Sequence, residues 1–248
     1  MRYRAFLPAI LTSISLVPLA RAGEMVSYKS GSDEVKGYLA LPAGKGPFPA
    51  VVVIPEWWGL NDWVKGNCDE MAKKGYVALG VDIYRGKSTS NPDEAHELMR
   101  GLPDDRAARD LQAAFDQLSG RADVKKDRIG SIGWCMGGGL SLTLATQEPR
   151  LAACVINYGH IVTEPATIAK IKAPLLGIFA GEDRGIAVAD VDAFADAVKK
   201  AGGRIAIHVY KGRGHAFINP NNKAGYDEKD ANDAWAKTWD FLAANLAK

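Results

Sequence analysis

The chain has 248 residues, 47% hydrophobic and 24% charged, enough for one α/β domain with a full core. Its 31 Lys and Arg against 29 Asp and Glu give a formal net charge of +2 at pH 7. So even a balance argues against a nucleic-acid or anionic-membrane partner, both of which select for a basic surface.

The first 22 residues read as a secretory leader outside the fold. Arg2 and Arg4 form a basic start, Ala5–Ala20 is mostly apolar, and Ala20-Arg21-Ala22 is an A-x-A cleavage site before Gly23. Pro8 and Pro18 interrupt a run already shorter than the ~20 residues of a membrane span, which argues against a retained anchor. The expected mature chain, Gly23–Lys248, is a single domain exported to the periplasm. Loss of Arg2, Arg4 and Arg21 brings its formal charge to −1.

Met25–Ser30 and Val35–Leu41 predict an antiparallel hairpin around Gly31–Glu34 at a sheet edge. Ala50–Ile54 is a continuous β-branched run, as expected of a strand buried on both faces. A helix is expected over Asp62–Lys74, stopped by Gly75, and then a second buried strand over Tyr76–Val81. Asn91-Pro92 marks a loop. Asp93–Glu97 has a charged helical pattern that leaves His96 solvated. From about Asp104 to Leu118 one apolar stripe of Ala107, Ala108, Leu111, Ala114, Phe115 and Leu118 predicts a long helix.

Asp127–Ile132 is the next strand, and it breaks into Gly133-Trp134-Cys135-Met136-Gly137-Gly138 before a helix over Leu140–Gln147. G-x-C-x-G-G between a strand and a helix is a nucleophile elbow with a thiol in place of a hydroxyl. Side chains two residues either side of the nucleophile would collide with neighbouring backbone, hence the glycines. The helix N-terminus favours both a thiolate at Cys135 and a developing oxyanion. Further strands are expected over Ala152–Asn157, Pro174–Ala180 and Arg204–Tyr210, with helices over Val188–Lys200 and about Glu228–Ala247. The last helix carries Trp235, Trp239, Leu242 and Leu246 on a core-packing stripe. Strands alternating with helices make a mostly parallel sheet covered on both faces, with no room in the sequence for a large lid.

Ligands of such sheets sit beyond the carboxyl ends of the strands, and the reactive residue types cluster there. A thiol nucleophile needs a base and a group that orients the base. Of four histidines, His215 follows the final strand in Gly212–Phe217 and is the expected base; His160, after the Ala152–Asn157 strand, is the alternative. Asp183, directly after Pro174–Ala180, is the expected orienting acid, with Glu182 adjacent. The oxyanion needs two backbone donors, and Met136 and Trp57 are placed to supply them. Trp57, Trp58 and Tyr84 supply aromatic walls. Cys68 and Cys154 read as buried small hydrophobes, with a disulfide between them left open. No metal cluster, nucleotide fingerprint or other cofactor motif is present, so neither is expected.

PEWWG, DIYRG, GWCMGGG, GEDR and GRGHAF, in this order, resemble the dienelactone hydrolase family of α/β-hydrolases across essentially all of Gly23–Ala247. The resemblance implies the α/β-hydrolase fold and a carboxymethylenebutenolidase-like hydrolase of lactones or carboxylic esters. It implies a Cys135–Asp183–His215 triad acting through an acyl-enzyme on a small molecule. It also implies that Glu56 contacts the resting thiol and is displaced by substrate. A carboxylate there keeps the thiol protonated, which protects a periplasmic cysteine from oxidation. Arg85 matches one family arginine that holds a substrate carboxylate. The second lies four residues past the histidine, where this chain has Asn219, and a neutral amide cannot replace a bidentate guanidinium. The chain is expected to work as a monomer. Two rivals of other classes, a binding protein without efficient turnover and a redox-sensing thiol protein, would need neither Asp183 nor His215.

Overall fold

A computed structural model describes residues 22–247; apart from Ala22, the expected leader lies outside the described residues. The hairpin forms first in the chain, from β1 (Glu24–Ser30) and β2 (Asp33–Ala40), joined by a two-residue turn in which Gly31 takes φ 62°. Only glycine enters that region without steric cost. The sheet continues with β3 (Phe48–Ile54), β4 (Val77–Val81), β5 (Val124–Trp134), β6 (Ala153–Asn157), β7 (Leu175–Ala180) and β8 (Ile205–Tyr210).

The eight strands lie in the order β1-β2-β4-β3-β5-β6-β7-β8. All neighbours from β4 to β8 are parallel; β1 and β2 add an antiparallel edge. β5 begins earlier than its apolar run predicts, because Val124 pairs with Phe48 ahead of a register shift in β3.

Helices α1 (Asp62–Lys73), α2 (Pro92–Arg100), α3 (Asp104–Ser119), α4 (Met136–Gln147), the single turn α5 (Pro165–Ile168), α6 (Val188–Lys200) and α7 (Glu228–Leu246) complete the chain. Alternation in β3 sends Ala50, Val52 and Ile54 to one face and Val51 and Val53 to the other. Leu111 and Phe115 of α3, Leu142 of α4 and Phe194 of α6 pack on the first face. Val64 and Met71 of α1 with Ala234 and Leu242 of α7 pack on the second. Each fully buried Leu or Phe contributes about 1.5–3 kcal/mol relative to exposure. Trp235 and Trp239 stack with ring centres 4.9 Å apart at the margin of the second face, where Trp235 meets buried Trp134.

The two other thiols sit on opposite faces, Cys68 with α1 and Cys154 with the α3 and α4 layer, and both are free. The open question of a disulfide closes on that separation.

Helix α2 begins at Pro92, inside the expected Asn91-Pro92 loop, and takes in the charged helical pattern of Asp93–Glu97. Asn91 accepts from the amides of Asp93 and Glu94, Pro92 occupies the first helical position, and Asp93 and Glu94 complement the dipole. Those are helix-start signals in their own right. Among the described residues no helix is long and apolar enough to cross a membrane.

Candidate active site

The residues with reactive side chains emerge at the carboxyl edge of the sheet: Glu56 after β3, Cys135 after β5, Asp183 after β7 and His215 after β8. At Cys135 the backbone takes φ 55° and ψ −120°, a strained conformation that costs on the order of 1–3 kcal/mol. It is held by the Cys135 amide donating to the Asn157 carbonyl at 3.0 Å and by Asn157 Nδ2 donating to the Gly133 carbonyl at 3.0 Å. A Cβ on Gly133 would strike the Gly137 carbonyl, and one on Gly137 would strike the carbonyls of Ile54 and Pro55. The elbow glycines are therefore required by close backbone approach. Because these glycines let the chain turn at once, α4 starts at Met136, four residues before the expected Leu140.

The Cys135 side chain lines a cavity of about 780 Å³ together with Glu56, Trp57, Trp58, His96 and His215. The backbone N–H groups of Met136 and Trp57 lie on the side of the sulfur where they favour its charged form. Trp57 N–H is positioned by a turn in which the Gly59 amide donates to the Glu56 carbonyl, with Gly59 at φ 81°. Despite these donors, burial first and the neighbouring Glu56 second push the thiol up to about 12. The sequence-based expectation of a thiolate favoured by the helix N-terminus is outweighed: desolvation of a charged sulfur exceeds what two N–H groups return.

Glu56 is 2% exposed. Burial raises its carboxyl to about 7, while Asn219 Nδ2, donating to Oε2 at 2.6 Å, and the Tyr158 hydroxyl, donating to Oε1 at 3.4 Å, hold it from going higher. Tyr158 is fully buried at the end of β6 with φ 37°, and its ring meets the His215 ring edge-on at 5.1 Å. Neither Tyr158 nor Asn219 stands out in the sequence as a partner of Glu56.

His215 Nδ1 lies 2.6 Å from Asp183 Oδ2, and Asp183 Oδ1 accepts the Gly185 amide at 2.9 Å. A carboxylate is an acceptor only, so this contact puts the ring proton on Nδ1 and leaves Nε2 as a base. Asp183 rather than Glu182 makes the contact, and His160 does not line the cavity.

Arg85, the expected carboxylate anchor, and Tyr84, an expected aromatic wall, lie elsewhere. Arg85 sits at φ 54° with its guanidinium turned away: Nη1 donates to Asp33 at 2.8 Å, and Nε and Nη2 donate to buried Asp110 at 3.3 and 3.1 Å. It lines a neighbouring cleft, not the Cys135 cavity, so the expectation of a carboxylate anchor at Arg85 is corrected. Tyr84 is buried behind Met136, donating from its hydroxyl to Met136 Sδ at 3.2 Å, and is not a cavity wall either. His96 is exposed, as expected, and its ring also packs edge-on against Trp57 at 4.6 Å and lines the cavity. Among the described residues no group of three or more His, Cys, Asp or Glu is placed to hold a metal ion.

Nucleophile, imidazole, carboxylate and paired amide donors on a strand-to-helix elbow form a constellation suited to acyl transfer. The "Dienelactone hydrolase family" model matches residues 35–246. "Protein usf" of Aquifex pyrophilus is 35% identical, covering 90% of this chain and 99% of its own. A "Putative carboxymethylenebutenolidase" of Aquifex aeolicus is 32% identical over the same shares. The solved structure "m3DLH" superposes with a TM-score of 0.84 at 26% identity, covering 92% of this chain and 100% of its own.

Proposed function

This chain belongs to the dienelactone hydrolase family and is a hydrolase of carboxylic esters or lactones, and on that premise we propose that Cys135 performs the cleavage through an acyl-thioester. One observation carries the proposal: the strand-to-helix elbow presents Cys135 at the N-terminus of α4 in a cavity that His215, held by Asp183 at 2.6 Å, also lines. In the first step His215 Nε2 takes the thiol proton as sulfur bonds to the substrate carbonyl carbon. The carbonyl oxygen becomes an oxyanion held by the two N–H groups. Collapse breaks the carbon–oxygen bond of the ester, and His215 returns the proton to the leaving alcohol. Water then attacks the thioester with His215 as base, releasing the acid and restoring the thiol.

Before substrate enters, burial and Glu56 hold the sulfur protonated, which makes a redox-sensing role for this thiol a poor fit. Intact-protein mass spectrometry after rapid mixing with phenyl acetate tests the reading. An acetyl adduct mapping to Cys135, and none on Cys135→Ala, is expected. Turnover by Cys135→Ala would overturn it.

The basic start, apolar run and Ala-Arg-Ala site of the first 22 residues support a companion proposal, export to the periplasm with cleavage before Gly23. N-terminal sequencing of protein from its native host is expected to begin at Gly23. A chain beginning at Met1 would overturn the export reading.

A further inference from the structure

The Cys135 cavity carries little positive charge. Among the described residues no arginine lines it, and the one lysine that does, Lys223, is exposed. The floor beside the sulfur is Glu56, ionised above about pH 7. The remaining polar wall is amide and hydroxyl, from Asn61, Asn219, Asn221, Asn222, Thr89 and Ser90, beside the imidazoles of His96 and His215. A carboxylate carried into this space would give up water without gaining a counter-ion and would face Glu56 across a poorly screened gap.

Another part of the wall is aromatic. Trp57 lies tilted on Trp58, ring centres 4.6 Å apart at 55°, and meets His96 edge-on at 4.6 Å and 78°. Met99, one turn along α2 from His96, extends the apolar surface. The corner is braced by the backbone. The Thr89 amide donates to the Trp58 carbonyl at 3.0 Å, Gly59 bridges Ser88, and Asn91 caps α2. Aromatic rings favour offset or edge-on partners by about 0.5–1.5 kcal/mol beyond the area they bury, so a rigid corner of three rings selects a fourth.

We propose that the substrate is an ester without a carboxylate of its own, which places an aromatic ring in the Trp57–Trp58–His96 corner; this rests on the acyl-transfer role of Cys135. The cavity volume of about 780 Å³ accommodates such a molecule, lying within the usual range for drug-sized ligands.

Two matched series at pH 8 test it. Methyl phenylacetate, methyl cyclohexylacetate and the methyl monoester of 4-carboxyphenylacetic acid vary the acyl side. Benzyl acetate, cyclohexylmethyl acetate and 4-carboxybenzyl acetate vary the alcohol side. In at least one series the uncharged aromatic ester is expected to exceed its carboxylated analogue about tenfold or more in kcat/KM, and its saturated analogue about threefold. Trp58→Leu, which keeps apolar bulk, is expected to remove the aromatic preference mainly through KM. Carboxylated esters cleaved as well as or better than uncharged ones in both series would overturn the inference, as would equal rates for phenyl and cyclohexyl esters in both. Either result with an acyl adduct on Cys135 leaves the acyl-transfer reading standing. No turnover and no adduct with any ester overturns both.

Discussion

The side-chain amide of Asn219 donates to Glu56 Oε2 at 2.6 Å, joining two residues 163 positions apart beneath the nucleophile. Asn219 is itself fixed, since its Oδ1 accepts the Asn221 backbone N–H at 2.9 Å and its own backbone N–H donates to the Ala216 carbonyl at 3.1 Å. Where a guanidinium would hold Glu56 ionised at all working pH values, a neutral amide leaves the carboxyl to titrate near neutrality. The chemistry of the thiol then depends on the state of its neighbour.

Glu56→Gln is expected to speed alkylation of Cys135 by iodoacetamide at pH 8. There the native Glu56 is ionised and repels a forming thiolate, and glutamine removes that repulsion. At pH 6 the carboxyl is mostly protonated and the two proteins should react alike. A rate ratio independent of pH would contradict the electrostatic coupling.

Stability should carry the same signature with a determinate sign. The folded pKa of Glu56, about 7, lies above its ordinary value of 4.5, so its contribution is fully present below about pH 4.5 and is lost as pH rises through 7. The melting temperature of the native protein relative to Glu56→Gln should therefore fall between pH 4.5 and 7.5. The change amounts to about 3 kcal/mol at most. A difference flat with pH, or one growing upward, would refute the buried carboxyl.

Removing Cys135 or His215 by alanine should lower kcat for benzyl acetate by about 10⁴-fold or more, with circular dichroism unchanged. Asp183→Asn leaves the ring contact sterically possible but permits the wrong tautomer, with an expected loss approaching ~10⁴-fold. The double variant of Asp183→Asn with His215→Ala should be no worse than His215→Ala alone, because the carboxylate acts through the ring.

Arg85→Met should lower the melting temperature by about 5–10 °C, because it strands Asp110, which is 1% exposed, without a counter-charge. Its kcat/KM for benzyl acetate should stay within about threefold of native. Steady-state kinetics below the transition temperature check this, and a selective loss toward carboxylated esters would restore Arg85 to substrate binding.

Much of this arrangement was legible in the chain because its signals are local. The β-branched run Ala50–Ile54, the glycines around Cys135 and the order of thiol, Asp183 and His215 each declare themselves within a few residues. What stayed hidden is long-range or ambiguous. The turn of Arg85 toward Asp110 depends on α3 packing 25 residues further on, and nothing beside Arg85 announces it. Tyr158 and Asn219 reach Glu56 only after β6 and β8 are aligned in the sheet. Asn91-Pro92 carries the marks of a helix start as well as of a loop, and the contact of exposed His96 with Trp57 joins residues 39 positions apart that nothing local announces.

The position of α2 has a consequence for how such a protein can diversify. Thiol, imidazole and both carboxylates ride on loops anchored directly to sheet strands, whereas His96 and Met99 belong to an excursion between β4 and α3 that takes no part in the sheet. Residues 86–101 carry part of the ligand wall, yet Ser88 and Thr89 tie them to the Trp58–Gly59 turn, so variation in this excursion bears on ligand preference and on the Trp57 donor together.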